Sequence, residues 1–303
     1  MPMENARLNC ISHRDPGKDR GLRWWQALDP PIYLISILPG AAVWLLTGVQ
    51  GRALIGVALA TLAVVLLQHA INVLNDVSDW RLGADIEKRN SWVRFHGEIP
   101  RVAAAHGYAS LALGALLGLA VLVATGKTWI APAAAPLVLL GYLYNSGRRP
   151  LSYTHLGEWV TGLCYGPGVF GGLWLLAASR PLSVGAFGSL AFFALSVALL
   201  LSHQPPQIDT DRQAGKLSFA VRYGAQRTYL GAKLLFLVFL FSFGLALAQS
   251  TVTPAVHLAY ATGAVIAGVL FARLQPAPRR LLPAASVLIL GALIVEASVT
   301  AMG

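Results

Sequence analysis

Residues 53–79 read ALIGVALATLAVVLLQHAINVLNDVSD, and this stretch decides the class of fold. From Ala53 to Asn75 it runs 23 residues without an Asp, Glu, Lys or Arg. As a helix that is enough to cross a hydrocarbon core, which takes ~20 residues. The run ends in carboxylates instead of a turn: Asn75 and Asp76, then Asp79 one helical turn on. On a helix Gln68, Asn72, Asn75, Asp76 and Asp79 share a face, so amides and carboxylates line one side of an otherwise apolar span. Polar groups at membrane depth are costly unless they meet water or one another, and such a stripe marks a functional site.

Eight further apolar runs lie outward from this one, at about 30–48, 102–125, 128–146, 156–178, 184–206, 229–249, 252–273 and 281–301. Of the 303 residues, 56% are hydrophobic and 12% charged, with a mean hydropathy of +0.61. A soluble protein carries about twice that charged fraction. The 30 glycines exclude a coiled coil and the apolar runs exclude a disordered chain. The expected fold is all-α: a polytopic membrane protein of about nine transmembrane helices bundled around a cytoplasm-facing polar cavity. Residues 1–29 form a basic cytoplasmic segment and 30–303 a single transmembrane domain. With the N-terminus inside, 20 of the 23 Lys and Arg residues fall on the cytoplasmic side, and Arg52, Lys127 and Arg180 fall opposite. That asymmetry sets the N-terminus in and the C-terminus out. It also accounts for the net charge of +10 without nucleic acid, which is not expected as a partner, whereas membrane lipid is.

A second polar segment, His203-Gln204-Pro205-Pro206-Gln207-Ile208-Asp209-Thr210-Asp211-Arg212, follows the 184–206 run. His203, Gln207 and Asp211 are spaced by four and share a face on a continuous helix. Shifted by 135 residues, Asn72-x-x-x-Asp76 falls on Gln207-x-x-x-Asp211. Two like stripes four spans apart predict a cavity between two half-bundles, and Pro205-Pro206 predicts a bend. Opposed carboxylate and amide oxygens suit Mg²⁺, a hard cation that bridges to phosphates. The basic residues Lys88, Arg89, Arg94, Arg148, Arg149, Arg212 and Lys216 are available to hold a diphosphate. There is neither a Walker A motif nor a GxGxxG, so a nucleotide is not implied.

Asn75-Asp76-x-x-Asp79 with Gly83-x-Asp85 resembles the first aspartate-rich motif of the UbiA superfamily of intramembrane prenyltransferases, in the form of its MenA-like branch. Tyr153-Thr154-His155-Leu156-Gly157-Glu158 with Gly166-Pro167 is similar to that branch's fifth span. Asp209-x-Asp211-Arg212-x-x-Gly215-Lys216 and Val221-Arg222-x-Gly224 look like its second aspartate-rich motif. The three occur in order over nearly the whole chain. The resemblance implies a nine-helix bundle, in a bacterial inner membrane with its site facing the cytoplasm. Its activity would be Mg²⁺-dependent transfer of an isoprenoid chain from a prenyl diphosphate to an acceptor, aromatic and quinone-precursor-like or otherwise.

By position, Asp76, Asp79 and Asp211 would be the catalytic carboxylates. Asp76 and Asp79 would bind one metal, with Asn72 contributing and Asn75 lining the same site, and Asp211 with Asp209 would serve the second. Gln68, Lys88, Arg94, Arg148, Tyr153, Glu158, Gln207, Arg212 and Lys216 would bind substrate. Where this chain has Gln207 the family commonly has an aspartate, and at His203 an asparagine; a neutral amide offers a carbonyl oxygen without charge, so the second metal is expected to be held less firmly. His69 is expected to hydrogen-bond near the site and not to ligate metal, and Glu296 to lie outside it. Two alternatives stay open: a UbiA-type terpene cyclase, which needs no aromatic acceptor, and a transporter. The transporter is disfavoured because both aspartate clusters lie at the same membrane face.

Overall fold

The computed structural model describes residues 23–83, 88, 90–146, 150–177 and 181–302, and among these there is no strand. Twelve helices follow one another: α1 (Trp24–Leu28), α2 (Leu34–Thr47), α3 (Gly51–Leu82), α4 (Trp92–Phe95), α5 (Pro100–Ala124), α6 (Ile130–Asn145), α7 (Gly157–Ala177), α8 (Leu182–His203), α9 (Ile208–Gln213), α10 (Phe219–Ala248), α11 (Pro254–Arg273) and α12 (Pro278–Met302). Eight segments of the described residues are long and apolar enough to cross a membrane. The ninth expected run is α6, which has 16 residues. At 1.5 Å per residue that spans ~24 Å against a core of ~30 Å. Its start, at Ile130, follows a turn over Lys127–Thr128, which removes residues that hydropathy alone assigned to the span.

Large apolar side chains lie outside the bundle as well as within it. Leu182, Phe241, Leu258 and Val287 are each about 70% exposed, pointing where lipid tails lie. The interior is an aromatic seam: Phe170 of α7 stacks on Phe192 of α8 at 5.2 Å, Phe192 meets Phe243 of α10 at 6.4 Å, and Phe243 meets Tyr260 of α11 at 5.4 Å. Over their most apolar 18 residues the segment containing α8 has 61% of its residues buried and α5 only 17%, so α8 is the central post and α5 stands at the rim. Close approach of α7 to α8 requires glycine: a Cβ on Gly166 would sit 2.5 Å from the Ser189 carbonyl oxygen. Next to Gly166, Pro167 withholds its N–H, and α7 widens to a π-helix over Cys164–Gly171.

Three local events position the polar groups. Helix α3 is ~48 Å long at 1.5 Å per residue, so it outruns the hydrocarbon core by about three turns and carries Asp76 and Asp79 out of it. Gly83, at φ 81°, ends it. After α8, Pro205 and Pro206 break the helix into a 3₁₀ turn, Pro205–Gln207, before α9 resumes. The turn Leu151–Tyr153 carries Tyr153 to the end of the bundle that holds both acidic segments.

Candidate active site

Asp76 and Asp79 are 6% and 1% exposed. A buried carboxylate without partners costs several kcal/mol, and here each oxygen has a donor. Asp76 Oδ1 accepts from Lys88 Nζ at 2.8 Å and Oδ2 from the Trp92 backbone N–H at 2.7 Å. That N–H is open because Trp92 is the first residue of α4, whose Ser91 cap takes the Val93 N–H instead. Asp79 Oδ2 accepts from Asn75 Nδ2 and Oδ1 from the Tyr153 hydroxyl, both at 2.8 Å. Higher on α3, Gln68 donates to the Ile32 carbonyl at 3.1 Å while its Oε1 is buried and unpartnered. Asn72 follows one turn later on the same helix.

Across from them, Asp211 is 6% exposed. Gly215, at φ 73°, turns the chain back so that the Ser218 hydroxyl donates to Asp211 Oδ2 at 2.8 Å and Lys216 Nζ lies 3.9 Å from Oδ1. Tyr153 joins the two segments: its hydroxyl holds Asp79, Lys216 Nζ sits 5.1 Å over its ring, and its carbonyl accepts the Leu217 N–H at 3.0 Å. Residues 79, 153 and 211, distant in sequence, thus form one constellation. Tyr144 of α6 is half-buried, and its neighbour Asn145 donates to the Ile71 carbonyl of α3 at 2.8 Å.

The second segment departs from the expected single face. With the helix broken at Pro205, His203 is exposed and Gln207 half-buried on the turn, and neither continues a stripe into Asp211. Asp209, expected beside Asp211 as a ligand, has an 88% exposed side chain and pairs with Arg212 at 3.4 Å on the outer surface. Residues 209 and 211 sit on opposite sides of a helix, as two-residue spacing requires. Gln204, which sequence reasoning passed over, is the buried amide: it donates to Glu158 Oε1 at 2.9 Å and accepts the Ala220 N–H at 3.3 Å. Glu158 also takes the Phe219 N–H at 2.7 Å, and its Oε2 is buried without a partner. The signal for Gln204 lay in the proline pair, which shifts the inward register at the break.

Of the remaining expected residues, Arg94 pairs with Glu98 at 3.7 Å and lies 5.9 Å over the Trp80 ring. Arg148, with Asp85, Arg89 and Arg149, lies outside the described residues. Glu296 is at the far end of the bundle, where its Oε2 accepts the Thr253 N–H and hydroxyl at 2.9 and 2.7 Å and so caps α11. An apolar groove of about 430 Å³ between α8 and α10, lined by Phe187, Leu190, Leu234, Leu237 and Phe241, faces lipid away from the carboxylates.

The two carboxylates on α3 and the third on α9 are oxygen donors of the kind a hard divalent cation takes, while among the described residues no three His, Cys, Asp or Glu side chains are gathered closely enough to hold one ion, and Gln68 is two turns further along α3. Lys88 and Lys216, each beside one of these carboxylates, are suited to an anion bridging the two segments.

A family model, the UbiA prenyltransferase family, matches residues 33–295. The chain belongs to the UbiA prenyltransferase family. Two solved structures of a UbiA homologue from Archaeoglobus fulgidus, one bound to DMAPP and Mg²⁺ and one to GPP and Mg²⁺, share the fold. They superpose over 92% of this chain and 99% of theirs, with TM-scores of 0.64 and 0.65 at 16% and 17% identity. Among UbiA relatives in sequence, the 1,4-dihydroxy-2-naphthoate octaprenyltransferase of Mycobacterium tuberculosis is 35% identical over 192 residues, 62% of this chain and 64% of that one. The chloroplastic 2-carboxy-1,4-naphthoquinone phytyltransferase of Arabidopsis thaliana is 30% identical over 258 residues, 75% of this chain and 64% of that one. The match thus spans just under two thirds of the length of both relatives.

Proposed function

We propose that this chain is a Mg²⁺-dependent membrane prenyltransferase that moves an isoprenoid chain from a prenyl diphosphate to an aromatic, naphthoate-like acceptor. The observation that carries this reading is the constellation in which Tyr153 ties Asp79 to Lys216 and Asp211. Carboxylates on two segments with a lysine at each are what a metal-bound diphosphate needs. The naphthoate prenyltransferases among the relatives supply the acceptor class.

Asp76, Asp79 and Asp211 would hold Mg²⁺, with Asn72 near; bound there, the ion neutralises charge on the departing diphosphate. Lys88 and Lys216 are placed to follow that charge, each leaving its carboxylate to the metal. Tyr153 and Asn75 fix the orientation of Asp79. The half-buried rings of Tyr144 and Tyr165 are suited to face the allylic carbon as its C–O bond lengthens. The bundle keeps water from that carbon, which would otherwise capture it as an alcohol.

On this reading residues 30–303 form the catalytic domain and 1–29 a basic appendage. On the same reading the site faces the cytoplasm from a bacterial inner membrane, an orientation that the Lys and Arg asymmetry supports. The test is the purified protein in lipid with a labelled prenyl diphosphate, with and without Mg²⁺ and 1,4-dihydroxy-2-naphthoate. Acceptor- and Mg²⁺-dependent formation of a prenylated aromatic is expected. A cyclised hydrocarbon formed without acceptor would overturn the reading in favour of a terpene cyclase.

A further inference from the structure

Beside the acidic site, and outside it, four side chains form an unbroken hydrogen-bonded file. The Tyr33 hydroxyl meets His69 Nδ1 at 2.7 Å, His69 Nε2 meets His106 Nε2 at 3.1 Å, and His106 Nδ1 meets His96 Nε2 at 3.1 Å. Each inner imidazole uses both ring nitrogens, so the file has no branch. Its inner end is in the span: His69 precedes Asp76 on α3 by seven residues, ~10 Å deeper along the axis, and Asn72 by three. Its outer end, His96, is in the loop between α4 and α5, half-buried beside the exposed Gly97 and Glu98.

Two features argue for more than packing. Three of the chain's seven histidines gather here from three different elements, in a segment of membrane protein where an imidazole is costly to place. Trp92 holds the file against the site: its backbone N–H binds Asp76, and its ring lies edge-on to His69 and to His106, each at 4.9 Å. With one proton on each imidazole and one on the tyrosine, all three links are satisfied in a single direction, Tyr33 donating to His69, His69 to His106 and His106 to His96. Burial holds His96 below its ordinary imidazole value, consistent with one proton on it at neutral pH.

We propose that Tyr33, His69, His106 and His96 form a proton relay that carries the acceptor's hydroxyl proton from the buried site to the aqueous surface. The inference rests on the reading that the acceptor is a hydroxylated aromatic. As the acceptor O–H bond breaks, its proton passes to the Tyr33 oxygen and the Tyr33 proton moves to His69 Nδ1. His69 gives its Nε2 proton to His106, His106 gives its Nδ1 proton to His96 Nε2, and His96 releases its Nδ1 proton to water. The pair left on the acceptor oxygen is shared into the ring, whose carbon bonds to the isoprenoid C1, and the C1–O pair leaves on the diphosphate. The ketone so formed returns to the phenol when the hydrogen on that ring carbon moves as a proton to the oxygen, so that one C–C bond forms, one C–O and one C–H bond break, one proton departs in net and nothing is oxidised. No member of the file is charged before or after, and the flipped tautomers reset by exchange with water through His96.

The test is His106→Phe, which keeps a ring against Trp92 and cuts the file, and His106→Ala, which leaves room for imidazole. Both are assayed as full-length protein in lipid with prenyl diphosphate, Mg²⁺ and naphthoate. His106→Phe is expected to lose at least about tenfold in kcat, within the range of general acid–base steps, with KM for prenyl diphosphate and the Mg²⁺ requirement unchanged. Added imidazole is expected to restore several-fold activity to His106→Ala and none to His106→Phe. His96→Gln, nearer the surface, gives the same reading should His106 variants not fold. A kcat within twofold of wild type in a folded variant, or a loss in His106→Ala that imidazole does not relieve, overturns the relay. Failure of the wild-type protein to prenylate any aromatic would instead overturn the function on which it rests.

Discussion

The two acidic segments occupy like positions in the two halves of the chain and have been built differently. On α3 the helix is unbroken from Gln68 to Asp79, so the face that periodicity predicts is the face that exists, and two carboxylates are buried with every oxygen bonded. After α8 the same spacing is cut by Pro205-Pro206, and one carboxylate, Asp211, is left inside while Asp209 turns out. The first segment is a two-carboxylate grip and the second a one-carboxylate grip braced by Ser218 and Lys216. A four-residue repeat reports a shared face only where the backbone between its members stays helical.

Substitutions can break this contrast. The largest effect is expected for Asp76→Ala or Asp79→Ala, each losing at least ~10³-fold in turnover with the purified protein still folded, since on the proposed reading each removes a ligand of the metal that meets the diphosphate's charge. Retained turnover in Asp79→Ala would dissolve the distinction between the segments. Next, Asp211→Asn should cost ~10²-fold while Asp209→Asn stays within about twofold, a direct reading in steady-state assays of which aspartate faces the site; equal effects would mean that α9 is rotated from the placement described.

Tyr153→Phe removes one donor from Asp79 and the tie between segments. A loss of ~1–3 kcal/mol is expected from a buried acceptor left short of a bond, or about 5- to 150-fold if it falls wholly on the transition state. Tyrosine's ring stacking on Lys216 survives in the variant, so the Mg²⁺ titration and KM together separate metal positioning from folding. The smallest effect is expected at Gln207. Restoring charge there with Gln207→Asp should lower the Mg²⁺ concentration for half-maximal activity by a few-fold, because a carboxylate attracts a divalent ion and desolvation offsets most of that gain. An unchanged titration with an altered product would assign Gln207 to the isoprenoid pocket instead.

What was legible of the candidate site came from the contrast between polar residues and the apolar runs beside them. Carboxylates and amides at helical spacing where an apolar run closes have few reasons to be there, and Asp76, Asp79 and Asp211, which stood out on that ground, are all buried. Asp209 misled because residue type and motif position carry no orientation. Gln204 and Ser218 went unread because an amide or a serine near a polar loop is ordinary in composition and acquires meaning only from what it touches, here Glu158 and Asp211. The histidine file was less visible still: His69 was seen alone, and nothing in spacing links residues 33, 69, 96 and 106.

The sequence by itself determined the membrane-spanning all-helical class and the family, and it singled out Asp76, Asp79 and Asp211 as carboxylates beside apolar runs. Each of these is written in local quantities: hydropathy over ~20 residues, charge between runs, and polar groups where apolar ones are the rule. Only the tertiary structure decided that Tyr153 bridges Asp79 to Lys216, that a proline turn leaves Asp211 without Asp209, and that four groups from four elements make one file. These depend on helix crossing and on the rotation of each helix about its axis. In a bundle those are set by glycine contacts such as Gly166 on Ser189 and by the aromatic seam, whose partners are far apart in sequence.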